Sequence, residues 1–175
     1  MIVWRIAAEA PAYRAVDLTG SGAKITGGRW NSAGRAMLYC STSIALAALE
    51  TVVHLSQGGL PFNRYLVRIE IPDAVWLARQ VITAATAPSG WDAVPAGMAS
   101  IQHGDQWLAG KASAILEVPS IVVPEEQNAL INPEHGDASG ITAKIVRKWL
   151  YDPRCFESTA RRASRYVVKS HATGR

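Results

Sequence analysis

The stretch GGRWNSAGRAMLYCSTSIALAALETVVHL, residues 27 to 55, decides how this chain is read. It passes from a glycine turn through a short apolar run into a helical pattern. Gly27 and Gly28 free the backbone where Arg29 leaves the turn. Residues Ala36 to Tyr39 read as a strand. Ser41 or Ser43 can then cap a helix running to about Gln57, where Gly58 and Gly59 stop it. Glu50 lies inside that helix, with Leu46 and Ala47 before it and Val53 and His54 after it at helical spacing, so a carboxylate borders an otherwise apolar face. Such a group must meet a partner or a cleft.

Working outward, Ile2 to Ile6 reads as a short strand, and Asp17 to Gly28, with four glycines, as a loop that can approach a ligand closely. Arg64 to Ile71 alternates as a strand does and is ended by Pro72 and Asp73. Ala74 to Ala99 is irregular, and Gly104 to Gly110 suggests a short helical turn opened by Asp105. Ala114 to Pro124 is β-rich, its prolines implying an edge position or a break at Ser120. Ile141 to Trp149 fits a helix or a strand on pattern alone. Short strands around one clear helix predict an α+β fold with mostly antiparallel sheet.

The 175 residues fit one domain, and 49% hydrophobic residues suffice for a substantial core. Of the 18 basic and 14 acidic residues, five basic and one acidic lie from Glu157 onward, which leaves 13 of each in the body. The pI near 9.3 therefore belongs to a basic tail, 157–175, expected to be a flexible extension to a body spanning 1–156. A neutral body argues against direct nucleic-acid binding, which needs a concentrated basic face. The longest apolar stretch, Ile44 to Leu55, is interrupted by Glu50 and His54 and is too short to span a bilayer. Cys40 and Cys155 have neither CxxC nor metal-ligand spacing, and the N-terminus lacks the layout of a signal peptide, so a reducing cytoplasm is expected.

Arg29, Tyr39 and Glu50 supply what chemistry on a nicotinamide dinucleotide requires. An arginine grips pyrophosphate as a planar fork, a tyrosine ring can stack on nicotinamide, and a carboxylate can stabilise an oxocarbenium-like sugar. Each also has an ordinary reading. Glu50 can pair with His54, Arg29 can form a surface ion pair, and Tyr39 can pack in the core. His54 and His135 form no metal-ligand pair, so no metal is expected. The glycine-rich segment is neither a Walker loop nor GxGxxG.

Six stretches extend the pattern: Gly27 to Asn31, Ala45 to Leu55, Arg68 to Asp73, Gly104 to Leu108, Val118 to Pro124, and Asn128 to His135. In this order they resemble the RES-domain family, named for an arginine, a glutamate and a serine, over the body to about Phe156. Tyr151 to Arg154 resembles the family's closing motif and favours a strand for Ile141 to Trp149. Gly136 departs from the family, which usually has proline there.

The resemblance implies an ADP-ribosyltransferase-like fold and the toxin half of a type II toxin–antitoxin module. The partner it implies is an Xre-type antitoxin that occludes the active site. NAD is the implied substrate, cleaved at its nicotinamide N-glycosidic bond by hydrolysis or phosphorolysis so that growth arrests. An alternative is transfer of ADP-ribose to a protein such as phosphoribosyl pyrophosphate synthetase. Carried over, the named residues are Arg29, Glu50 and Ser120, with Tyr39 as a further catalytic residue. Lys24, Trp30 and Ser120 join Arg29 in the expected NAD-binding set, although Trp30 can equally be a core wall, Lys24 solvated, and Ser120 a partner for strand-edge backbone. A competing reading from another class is a non-catalytic binding module acting through its tail.

Overall fold

A computed structural model describes residues 1–11, 13–55 and 61–155, so the expected glycine stop at Gly58 and Gly59 and the tail 157–175 lie outside the described residues. The strands are β1 (Ile2–Ala8), β2 (Leu38–Ser41), β3 (Arg64–Glu70), β4 (Gln80–Val81), β5 (Ile115–Pro119), β6 (Gln127–Ile131) and β7 (Thr142–Lys148). They form one seven-stranded sheet in the order β4-β5-β6-β2-β1-β3-β7. Only β4 with β5 is parallel; every other pair is antiparallel. With four short α-helices among the described residues, this is the α+β, mostly antiparallel architecture expected from the sequence.

Alternation decides which side chains each strand sends to which face. Leu38 and Cys40 of β2, Ile115 of β5, and Ala129 and Ile131 of β6 enter one apolar cluster with Val3, Val67 and Ile69. The intervening residues Leu116, Val118 and Leu130 face the opposite side and pack with Trp30, Met37, Trp91 and Trp107. Register carries this parity across the sheet: Tyr39 lies opposite Leu130, and Ser41 opposite Asn128. One face of β2 and β6 therefore turns from apolar to polar at one end, below helix α2.

Helix α2 (Ile44–Val52) begins at Ser43, whose side chain accepts from the Leu46 N–H, so Ser43 rather than Ser41 is the cap. Leu46 and Ala47 are buried, and Ala47 packs with Ile6, Leu66 and Tyr151. The helix ends at Val52, short of the expected Gln57. Thr51 bonds back to the Ala48 carbonyl at 2.8 Å, and the β-branched run Thr51 to Val53 has low helix propensity.

Three other expectations are corrected. Part of the glycine loop forms α1 (Ser21–Thr26), bounded by Gly20 and Gly27 at positive φ; it buries no residue, so no apolar stripe announces it. The stretch read as irregular contains α3 (Asp73–Leu77) and β4. Asp105 opens no helix: it lies within α4 (Met98–Gly110), which starts after Gly97 without a side-chain cap. The segment Ile141 to Trp149 is a strand, β7, as the closing motif favoured.

Candidate active site

The glycine turn is built around the Tyr39 hydroxyl. That hydroxyl accepts from the Trp30 N–H at 2.9 Å and donates to Asn31 Oδ1 at 2.7 Å. The Asn31 amide in turn donates to the carbonyls of Ala23, Ser32 and Arg35. Gly28 is required by this closeness, because a Cβ there would sit 2.5 Å from the Tyr39 hydroxyl oxygen. Burial pushes the Tyr39 phenol well above its ordinary range, the charge of Asp105 adds to that, and the Trp30 N–H and Arg29 oppose it. The hydroxyl thus stays protonated and can donate to Asn31.

Asp105 secures the outer part of the turn from α4. It accepts from the Ser32 N–H at 3.0 Å and from the Ser32 hydroxyl at 2.6 Å, with the Arg35 guanidinium 3.6 Å away. One helical turn is crossed by the Trp30 backbone so closely that a Cβ on Gly104 would overlap the Trp30 carbonyl oxygen. Trp30 itself is 2% exposed, stacked with Trp91 at 6.4 Å and edge-on to His103. Its ring stands in the core beneath the turn.

Arg29 leaves this scaffold half-buried, and its Nη1 donates to the carbonyls of Trp91 at 2.8 Å and Ala93 at 2.9 Å. Burial lowers its pKa, while the charges of Glu50 and Asp92 pull the other way. Arginine remains cationic through such shifts. Arg29 and Glu50 thus stand within each other's electrostatic field.

Glu50 projects from α2 towards the polar ends of β2, β5 and β6. Its Oε1 accepts from the Ser120 hydroxyl at 2.8 Å and from Asn128 Nδ2 at 2.5 Å. Ser120 is fully buried where β5 breaks after Pro119, and its oxygen also accepts from the N–H groups of Val122 and Val123. The Ser41 hydroxyl donates to Asn128 Oδ1 at 2.7 Å. The structure brings Glu50 and Ser120 into contact across a sequence separation of 70 residues, and His54, the alternative partner, is exposed. Lys24 is exposed in the last turn of α1, away from these contacts.

Sequence reasoning missed Asn128, Ser41, Asn31 and Asp105. Asn128 was quoted within a matching stretch, but the only physical signal was a polar residue in a short apolar run, which does not reveal its neighbours. A separate cavity of about 380 Å³, lined by Arg35, Leu108, Lys111, Asn132 and Glu134 among others, lies at the opposite ends of β2 and β6 and includes none of Arg29, Tyr39, Glu50 or Ser120. Among the described residues no cluster of three or more His, Cys, Asp and Glu side chains could hold a metal ion. Among them, too, no helix is long and apolar enough to cross a membrane.

The family model described as RES domain matches residues 2–154. The chain is 61% identical over 151 residues to the Prs ADP-ribosylating toxin of Sphingobium sp. (strain YBL2), covering 86% of this chain and 94% of that protein. It is 35% identical over 155 residues to Toxin Res of Yersinia enterocolitica (serotype O:8 / biotype 1B), covering 88% and 99% respectively. Its fold is similar to a chain in the crystal structure of the M. tuberculosis MbcT–MbcA toxin–antitoxin complex, with a TM-score of 0.62, 14% identity, and coverage of 83% of this chain and 84% of that one. The match along nearly the whole body, and identities well above those of chance similarity, show that the chain belongs to the RES domain family.

Proposed function

We propose that this protein is the toxin of a toxin–antitoxin pair, and that it breaks the nicotinamide–ribose bond of NAD and passes ADP-ribose to a protein. The observation that supports this most is Glu50, fixed by Ser120 and Asn128 within the field of Arg29. The 61% identical relative is named for ADP-ribosylating Prs, which favours a protein acceptor and makes Prs the first to test.

The chemistry needs one carboxylate. Nicotinamide bound in NAD is already cationic, so it takes both electrons of the breaking bond and leaves neutral without a general acid, unlike the leaving group of an ordinary glycosidase. Arg29 has five N–H donors, and the carbonyls of Trp91 and Ala93 engage only Nη1, leaving its Nε and Nη2 edge for a phosphate. The Tyr39 ring offers a stacking face while its hydroxyl holds the turn. Glu50 hydrogen-bonds the ribose and stabilises the charge that develops on it. The acceptor then attacks the sugar carbon and releases its proton to solvent. Trp30 and Ser120 support this site from beneath.

The same site cleaves NAD by hydrolysis or phosphorolysis if water or phosphate reaches the sugar first. Incubation with adenylate-labelled NAD, with and without phosphate and Prs, separates these routes. Label on Prs supports transfer, whereas free ADP-ribose or its 1-phosphate as the main product replaces transfer with NAD depletion. Absence of nicotinamide release under every condition overturns the enzymatic reading and leaves the non-catalytic binding module. The partner is an Xre-type antitoxin that covers the cleft; Leu49 and Val53, exposed on either side of Glu50 in α2 and its cap, provide apolar surface for it. Full NAD turnover in the purified complex would contradict occlusion.

A further inference from the structure

We propose that Asn128, itself oriented by Ser41, is a positioning residue that aims the Oε2 of Glu50 at the ribose; this rests on the NAD-cleaving reading of the site. Ser41 and Asn128 are directly opposed in the β2–β6 register, on the face that also carries Tyr39. The Ser41 hydroxyl donates to Asn128 Oδ1, so the other end of the amide, Nδ2, is directed to Glu50 Oε1. Turning the amide over would place its oxygen against a carboxylate, which only accepts, so Glu50 sets the sense of the amide and the Ser41 hydroxyl holds its far end.

Ser120 reinforces the choice of oxygen. Its Oγ accepts from two backbone N–H groups, so its own hydrogen goes to Glu50 Oε1. Two donors from two different strand ends converge on Oε1, and among the described residues Oε2 carries no hydrogen bond. A glutamate side chain on a helix has three rotatable bonds, and a freely swinging carboxylate loses alignment with the sugar. Two donors on a single oxygen stop that swing without occupying the oxygen that meets substrate. Asn128 comes from β6, between Ser120 on one side and β2 on the other, so the sheet itself sets the aim.

The test compares nicotinamide release by the full-length protein with that of N128A, N128D, S41A and S41T, with thermal melting of each. Loss of one positioning contact is expected to lower kcat by roughly 10- to 100-fold in N128A. N128D, which replaces the donor by an acceptor, is expected to fall at least as far. KM for NAD stays within about threefold, because the substrate-gripping groups are untouched. S41A falls less, and S41T, which keeps the hydroxyl, recovers most of that loss. Should N128A melt below the assay temperature, the S41A and S41T pair carries the test. A raised KM with unchanged kcat would make Asn128 a direct substrate contact and overturn the proposal, as would wild-type kcat in both N128A and S41A. No release by wild-type protein would instead remove the underlying NAD reading, so the two failures are distinguishable.

Discussion

Two polar networks flank Tyr39, and they differ in one respect. Around Asn31, each group that the turn buries is partnered: the Tyr39 hydroxyl, the Trp30 N–H, the Asn31 amide and the Ser32–Asp105 pair close on one another. Around Glu50, Ser120 and the Ser41-bonded Asn128 converge on one carboxylate oxygen and leave its twin without a hydrogen bond among the described residues. A closed network holds a loop in place, and an open one offers a group to a ligand. Both are built from the same residue types, so composition does not distinguish them. Geometry does.

The contrast predicts that damage to the closed network appears first as lost stability. Asn31→Ala leaves the Tyr39 hydroxyl without its acceptor and three carbonyls short of a donor in a site that is 1% exposed, and is expected to destabilise by about 2–3 kcal/mol, seen as a lower urea midpoint. A midpoint equal to wild type would show that the turn does not depend on Asn31. Tyr39→Phe keeps the ring but removes two hydrogen bonds, and should cost roughly 1–2 kcal/mol. If the ring stacks on nicotinamide as proposed, KM for NAD in that variant stays near wild type, whereas a large rise in KM would assign substrate contact to the hydroxyl.

A smaller effect concerns pH on the far side of the sheet. Burial pushes the Cys40 thiol up to about 12, partly offset by Arg5. A thiol whose folded pKa is raised favours folding while protonated. Its contribution is therefore complete below the unfolded value of 9.0 and is lost as pH rises through about 12. Wild-type protein should lose stability across that alkaline window more steeply than Cys40→Ala, measured by denaturant midpoints at stepped pH. Equal slopes would mean that Cys40 is not the group responsible.

The stretch from Gly27 to Leu55 was legible because its signals are local: a glycine pair, an apolar run, a serine cap and a carboxylate on an apolar face. Arg29 and Glu50 could be singled out for the same reason. Ser120 was reached only through family resemblance, since no local rule links it to a glutamate 70 residues earlier. Asn128 and Ser41 stayed hidden because their role depends on the β2–β6 register, which alternation alone does not specify. Helix α4 began earlier than its sequence suggests because Gly97 provides no capping side chain, while Asp105, which resembles a cap, serves Ser32 instead. The residues most informative about chemistry were thus local, and those that position them were distant.

The central claim, that the open network performs chemistry while the closed one holds the turn, is tested most directly by measuring nicotinamide release and thermal melting on one sample of Glu50→Gln. The glutamine keeps an oxygen for Ser120 and removes the charge that would face the ribose. Melting is expected within a few degrees of wild type, with release reduced by roughly 100- to 1,000-fold. Release at the wild-type rate, or a collapse of melting that accounts for the lost release, would contradict it.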